Sequence, residues 1–144
     1  MKKRILSLAL SAAMALTMLP TGAFAAGDKG KPPVYNKATG CYEISTPDQL
    51  LYLSGSWKDG TPRDGHYVLT ADIDMTGVKG FKPIASKKEQ GFIGTFDGQF
   101  HAIKGLRVEY EKKYAGLFGY VGNQDDQAYI KDVALLDCYV TGQQ

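Results

Sequence analysis

Two neighbouring acids, Asp72 and Asp74, are the side chains of this sequence best spaced for shared chemistry. They alternate with apolar residues, so both carboxylates lie on one face of an extended chain. Paired carboxylates can bind Ca²⁺ or divide acid and base work between them. Two carboxylates supply too few of the roughly six to eight oxygens that Ca²⁺ takes, so the pair is a weak candidate for a metal site. We expect both acids to fix a corner by accepting hydrogen bonds from backbone amides.

The other polar residues form no catalytic pattern. Asp125 and Asp126 lie in an amide-rich loop, where adjacent acids are usually solvated. His66 and His101 are the two histidines, and neither belongs to a zinc motif such as H-E-x-x-H. Nothing resembles a G-x-S-x-G nucleophile turn or a phosphate-binding loop. The sequence therefore predicts a protein that is not an enzyme, with no catalytic residue, no metal centre and no cofactor.

Residues 1–25 have the features of a secretory signal peptide. A basic start at residues 2–4 precedes an apolar run at residues 5–19, and cleavage is expected after Ala25. The run is 15 residues long, shorter than the ~20 residues of a membrane-spanning helix, so we expect no permanent membrane anchor. Cleavage leaves 14 basic and 15 acidic side chains, a net charge of −1. This charge excludes a nucleic-acid binder that relies on a broad basic field. The signal peptide predicts a secreted or cell-surface protein.

The exported chain divides into a leader and a folded segment. Residues 26–40 begin with a polar run rich in Gly and Pro and are interpreted as a flexible leader. The folded segment is residues 41–144. It contains both cysteines, Cys41 and Cys138, in a compartment where a disulfide is allowed.

A single helix is predicted near the start of the folded segment. Thr46 can cap it, Pro47 suits its first position, and Gln49 can complete a capping box. The helix should end near Gly55 and cover the N-terminal end of the hydrophobic core. Its apolar side comprises Leu50, Leu53 and Trp57.

The rest of the segment has the pattern of strands and turns. Residues 67–75 alternate between apolar and polar, which predicts one strand with a buried face. Residues 103–108 recur 27 positions later as residues 130–135, with their apolar residues in register. Repeats too small to bury their own apolar face are typical of stacked solenoids. We therefore expect residues 103–108 to pair in parallel with residues 130–135.

A series of motifs extends along the same segment. It includes Gly94-Thr95-Phe96-Asp97-Gly98 and Gly116-Leu117-Phe118-Gly119. Together these motifs resemble the GLUG-repeat family of bacterial secreted and surface proteins, which includes adhesin-like and IgA-peptidase-like members. The resemblance covers about residues 41–142. The residues that carry it or shape its corners are Asp72, Asp74, Gly94, Phe96, Asp97, Gly98, His101, Gly105, Gly116, Leu117, Phe118 and Gly119.

The resemblance implies an all-β fold, the start of a right-handed parallel β-helix closed at its N-terminal end by the short helix. The alternative is an antiparallel β-meander, in which Asp97-Gly98 closes a hairpin between residues 92–96 and 99–103. Because the sequence stops directly after a strand, we expect the solenoid to be incomplete at its C-terminal end and its edge to be open to pairing with another chain. The two cysteines should lie about 10 Å apart or more, farther than the ~7 Å between the Cα atoms of a disulfide, so we expect free thiols.

The resemblance implies location and architecture more than activity, and we interpret the chain as a secreted or cell-surface repeat scaffold or adhesion module. Because the sequence stops directly after a strand, we expect it to be a fragment of a longer protein. Its partner is unknown, and the candidates are a glycan or a host or cell-surface protein. Outward tyrosines could stack on sugar rings, which leaves a glycan-binding module as an alternative. A second alternative is part of a β-helix enzyme that degrades polysaccharides, which requires two convergent acids ~5 to 9 Å apart.

Overall fold

The computed structural model describes residues 30–55, 57 and 61–143. These residues are mainly β-structure with one short α-helix, in agreement with the all-β prediction. The predicted signal peptide, residues 1–25, lies outside the described residues. The elements are β1 Val34–Asn36, β2 Cys41–Ile44, α1 Pro47–Leu53, β3 His66–Leu69, β4 Ile73–Asp74, a 3₁₀ helix Lys88–Gln90, β5 Thr95–Asp97, β6 Ala102–Lys104, β7 Arg107–Tyr110, β8 Tyr129–Lys131, β9 Ala134–Leu136 and β10 Tyr139–Gly142.

The strands form three sheets. Sheet one has the order β1-β2-β3-β5-β8, sheet two has the order β4-β6-β9, and sheet three pairs β7 with β10. Within these sheets β1 and β2 are antiparallel, and every other neighbouring pair is parallel. Strand β5 therefore lies parallel to both β3 and β8, and Asp97-Gly98 does not close a hairpin. The alternative prediction of an antiparallel meander is wrong for these strands.

The chain visits the three sheets in a fixed order. Strands β5, β6 and β7, here called the preceding pass, lie in sheets one, two and three; strands β8, β9 and β10, the last pass, follow in the same order. Pairing between the two passes is parallel, as predicted, but its register differs from the repeat. Ile103 lies opposite Leu135, and Phe96 lies opposite Ile130. The predicted partnership of residues 103–108 with residues 130–135 is therefore wrong.

Two corners with the same local pattern explain this error. In each pass one corner follows the sheet-one strand and another follows the sheet-two strand, and both use left-handed backbone. Gly105, with a φ of 66°, follows β6, and its structural equivalent is Asp137, with a φ of 50°. The sequence repeat aligned Gly105 with Asp132, which has a φ of 52° but follows β8. The repeat therefore matched one corner to the other.

Residues 67–75 have the predicted burial but not the predicted continuity. Tyr67, Leu69, Ile73 and Met75 are buried, and Asp72 and Asp74 are exposed. The chain bends between β3 and β4, however, so the two halves of this alternating run lie in different sheets. Alternation persists because each half keeps its apolar residues toward the same core.

The capping box of α1 is confirmed. Gln49 N donates to Thr46 Oγ1 at 3.3 Å, and Thr46 N donates to Gln49 Oε1 at 3.2 Å. The helix ends at Leu53 instead of near Gly55, and half-buried Trp57 lies beyond it. In chain order α1 lies between the sheet-one strands β2 and β3. Later in the chain a sheet-two strand, β4, lies between the sheet-one strands β3 and β5. The contribution of α1 to the core is Leu50, Leu51 and Leu53.

Residues 34–36, which the sequence assigns to a flexible leader, form strand β1 beside β2. The ring of Tyr35 lies 4.9 Å from that of Tyr42, and Asn36 Nδ2 donates to Glu43 at 2.7 Å. These contacts of Tyr35 and Asn36 order residues 34–36 against β2.

One hydrophobic cluster receives side chains from all three sheets and from the helix. A series of aromatic contacts crosses it: Trp57 packs on Tyr67 and on Phe92, with centroids 6.0 and 5.8 Å apart, and Phe92 contacts Phe118 at 5.3 Å. Cys41 and Cys138 are half-buried free thiols. Among the described residues, no helix is long and apolar enough to cross a membrane.

Candidate functional site

Asp72 lies at the bend between β3 and β4 and connects this bend to the start of β6. Its Oδ1 accepts a hydrogen bond from Ala102 N at 2.9 Å and lies 3.1 Å from His101 Nδ1. The bond from the Ala102 amide, followed by the contact with His101, lowers the pKa of Asp72. The carboxylate is therefore ionised and used as a corner acceptor, although its side chain is largely exposed.

The carboxylate of Asp74 binds within the corner that follows β4. Its Oδ1 accepts from Thr76 N at 2.9 Å, and hydrogen bonds from the side chain and backbone of Thr76 lower its pKa. Asp72 and Asp74 thus bind separate backbone groups. In the described part of the chain, no three His, Cys, Asp or Glu residues gather closely enough to hold a metal ion. Among the described residues, no third ligand joins Asp72 and Asp74, the weak candidate pair for a metal.

Asp97 repeats this arrangement between the preceding and last passes. Its Oδ1 accepts from Gln99 N at 2.9 Å, and its Oδ2 lies 2.8 Å from Lys131 Nζ. The bonds from Lys131 and from the Gln99 amide lower the pKa of Asp97, and the same ion pair raises the pKa of Lys131. Asp72 and Asp97 connect neighbouring strands, Asp74 binds within its own corner, and none of the three has the raised pKa that a general acid needs.

The glycines of the sequence motifs lie where strands and corners approach most closely. A Cβ on Gly98 would collide with Asp132 O and with Val133, and a Cβ on Gly94 would collide with Gly65 O. Leu117 is buried, and Phe118 contacts Phe92 and Phe96, each at 5.3 Å between ring centroids. The motif residues of this region therefore contribute to packing of the core and to close backbone contacts. Gly105, Gly116 and Gly119 also belong to tight corners or close contacts.

The last pass exposes an apolar surface that its neighbours bury. Phe96, Ile103 and Val108 of the preceding pass are 1%, 0% and 0% exposed. Their partners in register, Ile130, Leu135 and Val140, are 40%, 46% and 45% exposed. Among the described strands, each strand of the last pass is paired on one side only. We call Ile130, Leu135, Val140 and their open strand edges the open face.

Two exposed aromatic residues escaped the sequence reasoning. Phe100 is 88% exposed and has a φ of 63°, and Tyr114 is exposed with a φ of 65°. The ring of Tyr114 lies 4.9 Å from that of Tyr120 at an angle of 54°. A left-handed backbone is unfavourable for an aromatic residue and is often found at functional sites. Phe100 directly follows the Asp-Gly-Gln turn, and this position was the available signal.

A hollow of about 640 Å³ lies beside the ends of β7 and β10 and contains two acids, Glu109 and Glu111. Glu109 Oε1 accepts from Arg107 Nη2 at 2.6 Å, and this ion pair lowers the pKa of Glu109. Arg107 also lies 4.6 Å from the centroid of the Tyr139 ring. A glycosidase requires one protonated acid of raised pKa, and Glu109 has the opposite tuning.

One curated relative can be compared with this chain. It is Halomucin of Haloquadratum walsbyi strain DSM 16790, which is 32% identical over 119 residues. The match covers 72% of this chain and 1% of Halomucin, so the chain spans about a hundredth of the length of the relative it matches. No family model matches the chain. No solved structure matches it either.

Proposed function

We propose that this chain is a segment of a secreted or cell-surface repeat scaffold, built as a right-handed parallel β-helix of the GLUG type. The observation that carries the proposal is the recurrence of inner residues between passes. Phe96 and Ile130, Ile103 and Leu135, and Val108 and Val140 are paired in three parallel ladders, in one chain order. A solenoid produces this recurrence because each turn adds one strand to every sheet. Membership of the GLUG-repeat family rests on the sequence motifs and stays a prediction.

The proposed location rests on the signal peptide and on charge. A cleaved chain with a net charge of −1 has no field that would steer polyanions to it. The similarity to Halomucin, whose name likens it to mucins, agrees with an extracellular location. We propose that the chain belongs to a longer protein at or outside the cell surface.

The proposed role is structural because the three corner acids already bind groups of the chain itself. Asp72, Asp74 and Asp97 hold backbone amides, and Asp97 also holds Lys131. Such groups position strands, and a hydrolytic centre would need a free carboxylate pair of contrasting pKa. This favours the scaffold over the polysaccharide-degrading enzyme.

A disulfide test addresses the solenoid directly. Thr95 and Tyr129 face each other in parallel strands, so cysteines at both positions should crosslink readily, with Cα atoms within the ~7 Å that a disulfide allows. The matched control places cysteines at Thr95 and Lys131, two residues out of register. Both variants carry Cys41→Ser and Cys138→Ser. Equal crosslinking in the two variants would contradict the ladder.

A binding assay addresses the role. The exported chain is incubated with a panel of pectin-like and host glycans, and both retention and newly formed reducing ends are measured. A scaffold without affinity is expected to do neither. Release of reducing ends would support the enzyme and reject the proposal.

Glycan binding is a second candidate function, and the exposed ring of Tyr114, which contacts the half-buried ring of Tyr120, favours it. A ring with an apolar face and a polar tip matches the face of a pyranose. If this pair is the site, Tyr114→Ser should abolish retention on a bound glycan. The control Tyr35→Ser removes an exposed tyrosine from β1, far along the chain, and should leave retention unchanged.

A further inference from the structure

We infer that strand β7 binds an extended acidic peptide of a partner protein along its free edge. The inference goes beyond the proposed scaffold and does not depend on it, because it rests on the pairing of one strand. Strand β7 is hydrogen-bonded to β10 on one side, and among the described strands none pairs with its other side. That other side faces residues 78–81, which precede β7 in the chain, across a hollow of about 290 Å³, near the size of a small ligand site. The open face lies beyond β10 and is a separate surface.

Residues 78–81 run beside β7 but do not form a strand with it. Gly77 and Gly80 have φ values of 79° and 74°, a left-handed backbone that interrupts the extended conformation of a ladder. Val78 N donates to Met75 O at 3.0 Å, which closes a turn within this part of the chain. These turns leave sheet three without a strand on this side of β7, although sheets one and two have the earlier strands β3 and β4 at the corresponding positions.

The backbone groups of Arg107 and Glu109 point toward this hollow. Leu106 O accepts a hydrogen bond from Tyr139 N at 2.9 Å, so this carbonyl points toward β10. Successive carbonyls of a strand point to opposite sides, so Arg107 and Glu109 direct their N–H and C=O groups away from β10. In the described part of the chain, no backbone hydrogen bond from residues 78–81 reaches them. These groups are therefore free to pair with another extended backbone, as in the addition of a strand to a sheet edge.

The lining of the hollow indicates which peptide fits. Val78 and Phe81 supply its apolar part and are 2% and 1% exposed. Side chains alternate along an added strand, so one points toward this apolar part while its two neighbours point outward. The outward side chains meet Lys79 and Arg107, and the charge of Arg107 is already paired with Glu109 at 2.6 Å. Among the described lining residues this leaves Lys79 as the cation without an ion pair, so the favoured segment carries an apolar residue between two acidic ones.

A titration with a defined peptide tests the inference. The probe is the peptide Thr-Glu-Val-Glu-Thr, acetylated and amidated at its ends, and it is added to the exported chain labelled with nitrogen-15. The amide signals of Arg107 and Glu109 are expected to shift, and their hydrogens should exchange more slowly with water. The amide of Val108, which points toward β10, should change little. The control peptide Thr-Lys-Val-Lys-Thr should bind about tenfold more weakly because it brings cations to Lys79.

Two substitutions of Glu109 separate the backbone contribution from the charge. Both remove the ion pair with Arg107. Glu109→Pro also removes the N–H that faces the hollow, and proline is tolerated on an edge strand where its nitrogen lies outside the ladder, so β7 should stay paired with β10. This variant is expected to lose binding of the acidic peptide. Glu109→Gln keeps the N–H and frees the guanidinium of Arg107, so it should bind the same peptide more tightly than the wild-type chain does.

A matched pair of exposed lysines locates the charge without putting the fold at risk. Lys79→Glu should weaken binding of the acidic peptide about tenfold, and Lys87→Glu, outside the hollow, should leave it unchanged. Unshifted amides of Arg107 and Glu109 at millimolar peptide, or equal binding of the lysine peptide, overturn the inference. Binding of oligogalacturonate that survives Glu109→Pro would assign the hollow to acidic glycans and would also overturn it. The disulfide test of the solenoid does not involve β7, so the proposed scaffold stands or fails separately.

Discussion

Ile103 and Leu135 lie opposite each other in the parallel strands β6 and β9, yet Ile103 is completely buried and Leu135 is 46% exposed. The two side chains are similar in size and have equivalent positions. Their difference in burial comes from their neighbours, because β6 has a strand on both sides and β9 has one on a single side. The contribution of each side chain to the free energy of unfolding should therefore differ in the same direction.

Ile103→Ala should therefore destabilise the fold much more than Leu135→Ala. Removing a fully buried Ile costs about 2–5 kcal/mol of unfolding free energy, and a half-exposed side chain should cost about half of that or less. Urea denaturation of the two variants measures both values. Equal losses would show that Leu135 is buried in solution.

Acid should destabilise the protein through its corner acids. Asp72, Asp74 and Asp97 have lowered pKa values in the folded chain. A lowered carboxyl pKa stabilises the fold above the unfolded pKa of about 4, and this stability is lost as pH falls through the folded value. Thermal melting between neutral pH and pH ~2 should show a falling midpoint below pH ~4.

The corresponding variant is Asp72→Asn, Asp74→Asn and Asp97→Asn together. Each amide keeps an oxygen for the backbone bond but cannot titrate, so the acid-dependent fall in the melting midpoint should shrink. Asp125→Asn, in the exposed loop, serves as the control. A triple variant with the wild-type pH dependence would show that these three carboxylates are not the cause.

Gly98→Ala should be strongly destabilising because the new methyl group meets the backbone of Asp132 and Val133. Overpacking of this kind costs about 1–3 kcal/mol, and the rigid backbone neighbour favours the upper end. Gly40→Ala is the comparison: Gly40 has a φ of 71° and open space around it, so only the conformational cost of about 1–2 kcal/mol applies. Chemical denaturation measures both, and a smaller loss at Gly98 than at Gly40 would contradict the close approach.

Phe100→Gly should leave stability unchanged or raise it by up to about 1 kcal/mol. The φ of 63° at this residue is unfavourable for a side chain, and the exposed ring makes little contact that would offset this. The melting midpoint is the measurement, with Phe96→Gly as a control that should greatly destabilise the core. A large loss at Phe100 would contradict this expectation and show that its ring makes stabilising contacts in solution.

The sequence was sufficient for features that depend on adjacent residues. The capping box of Thr46 and Gln49 and the alternating burial of residues 67–75 follow from local hydrogen bonding and from the two-residue period of a strand. The parallel character of the pairing was also predicted, because a repeat must stack on itself.

Features that depend on distant residues were not predictable in the same way. The register failed because the corners at Gly105 and Asp132 have similar local chemistry, and only the sheets distinguish them. The order of residues 34–36 depends on Tyr42 and Glu43 across a turn.

The aromatic contacts around Trp57 give the molecule a natural optical reporter. Trp57 is the one tryptophan of the chain, and its ring packs on Tyr67 and Phe92, with Tyr42 next to Tyr67. Light absorbed by these tyrosines can pass to the indole, so its emission should change when the first two parallel strands, β2 and β3, separate. Tyr129 and Tyr139 lie in the last pass, outside this group of rings. Tryptophan emission and total tyrosine emission should therefore distinguish fraying of β8 and β10 from separation of β2 and β3.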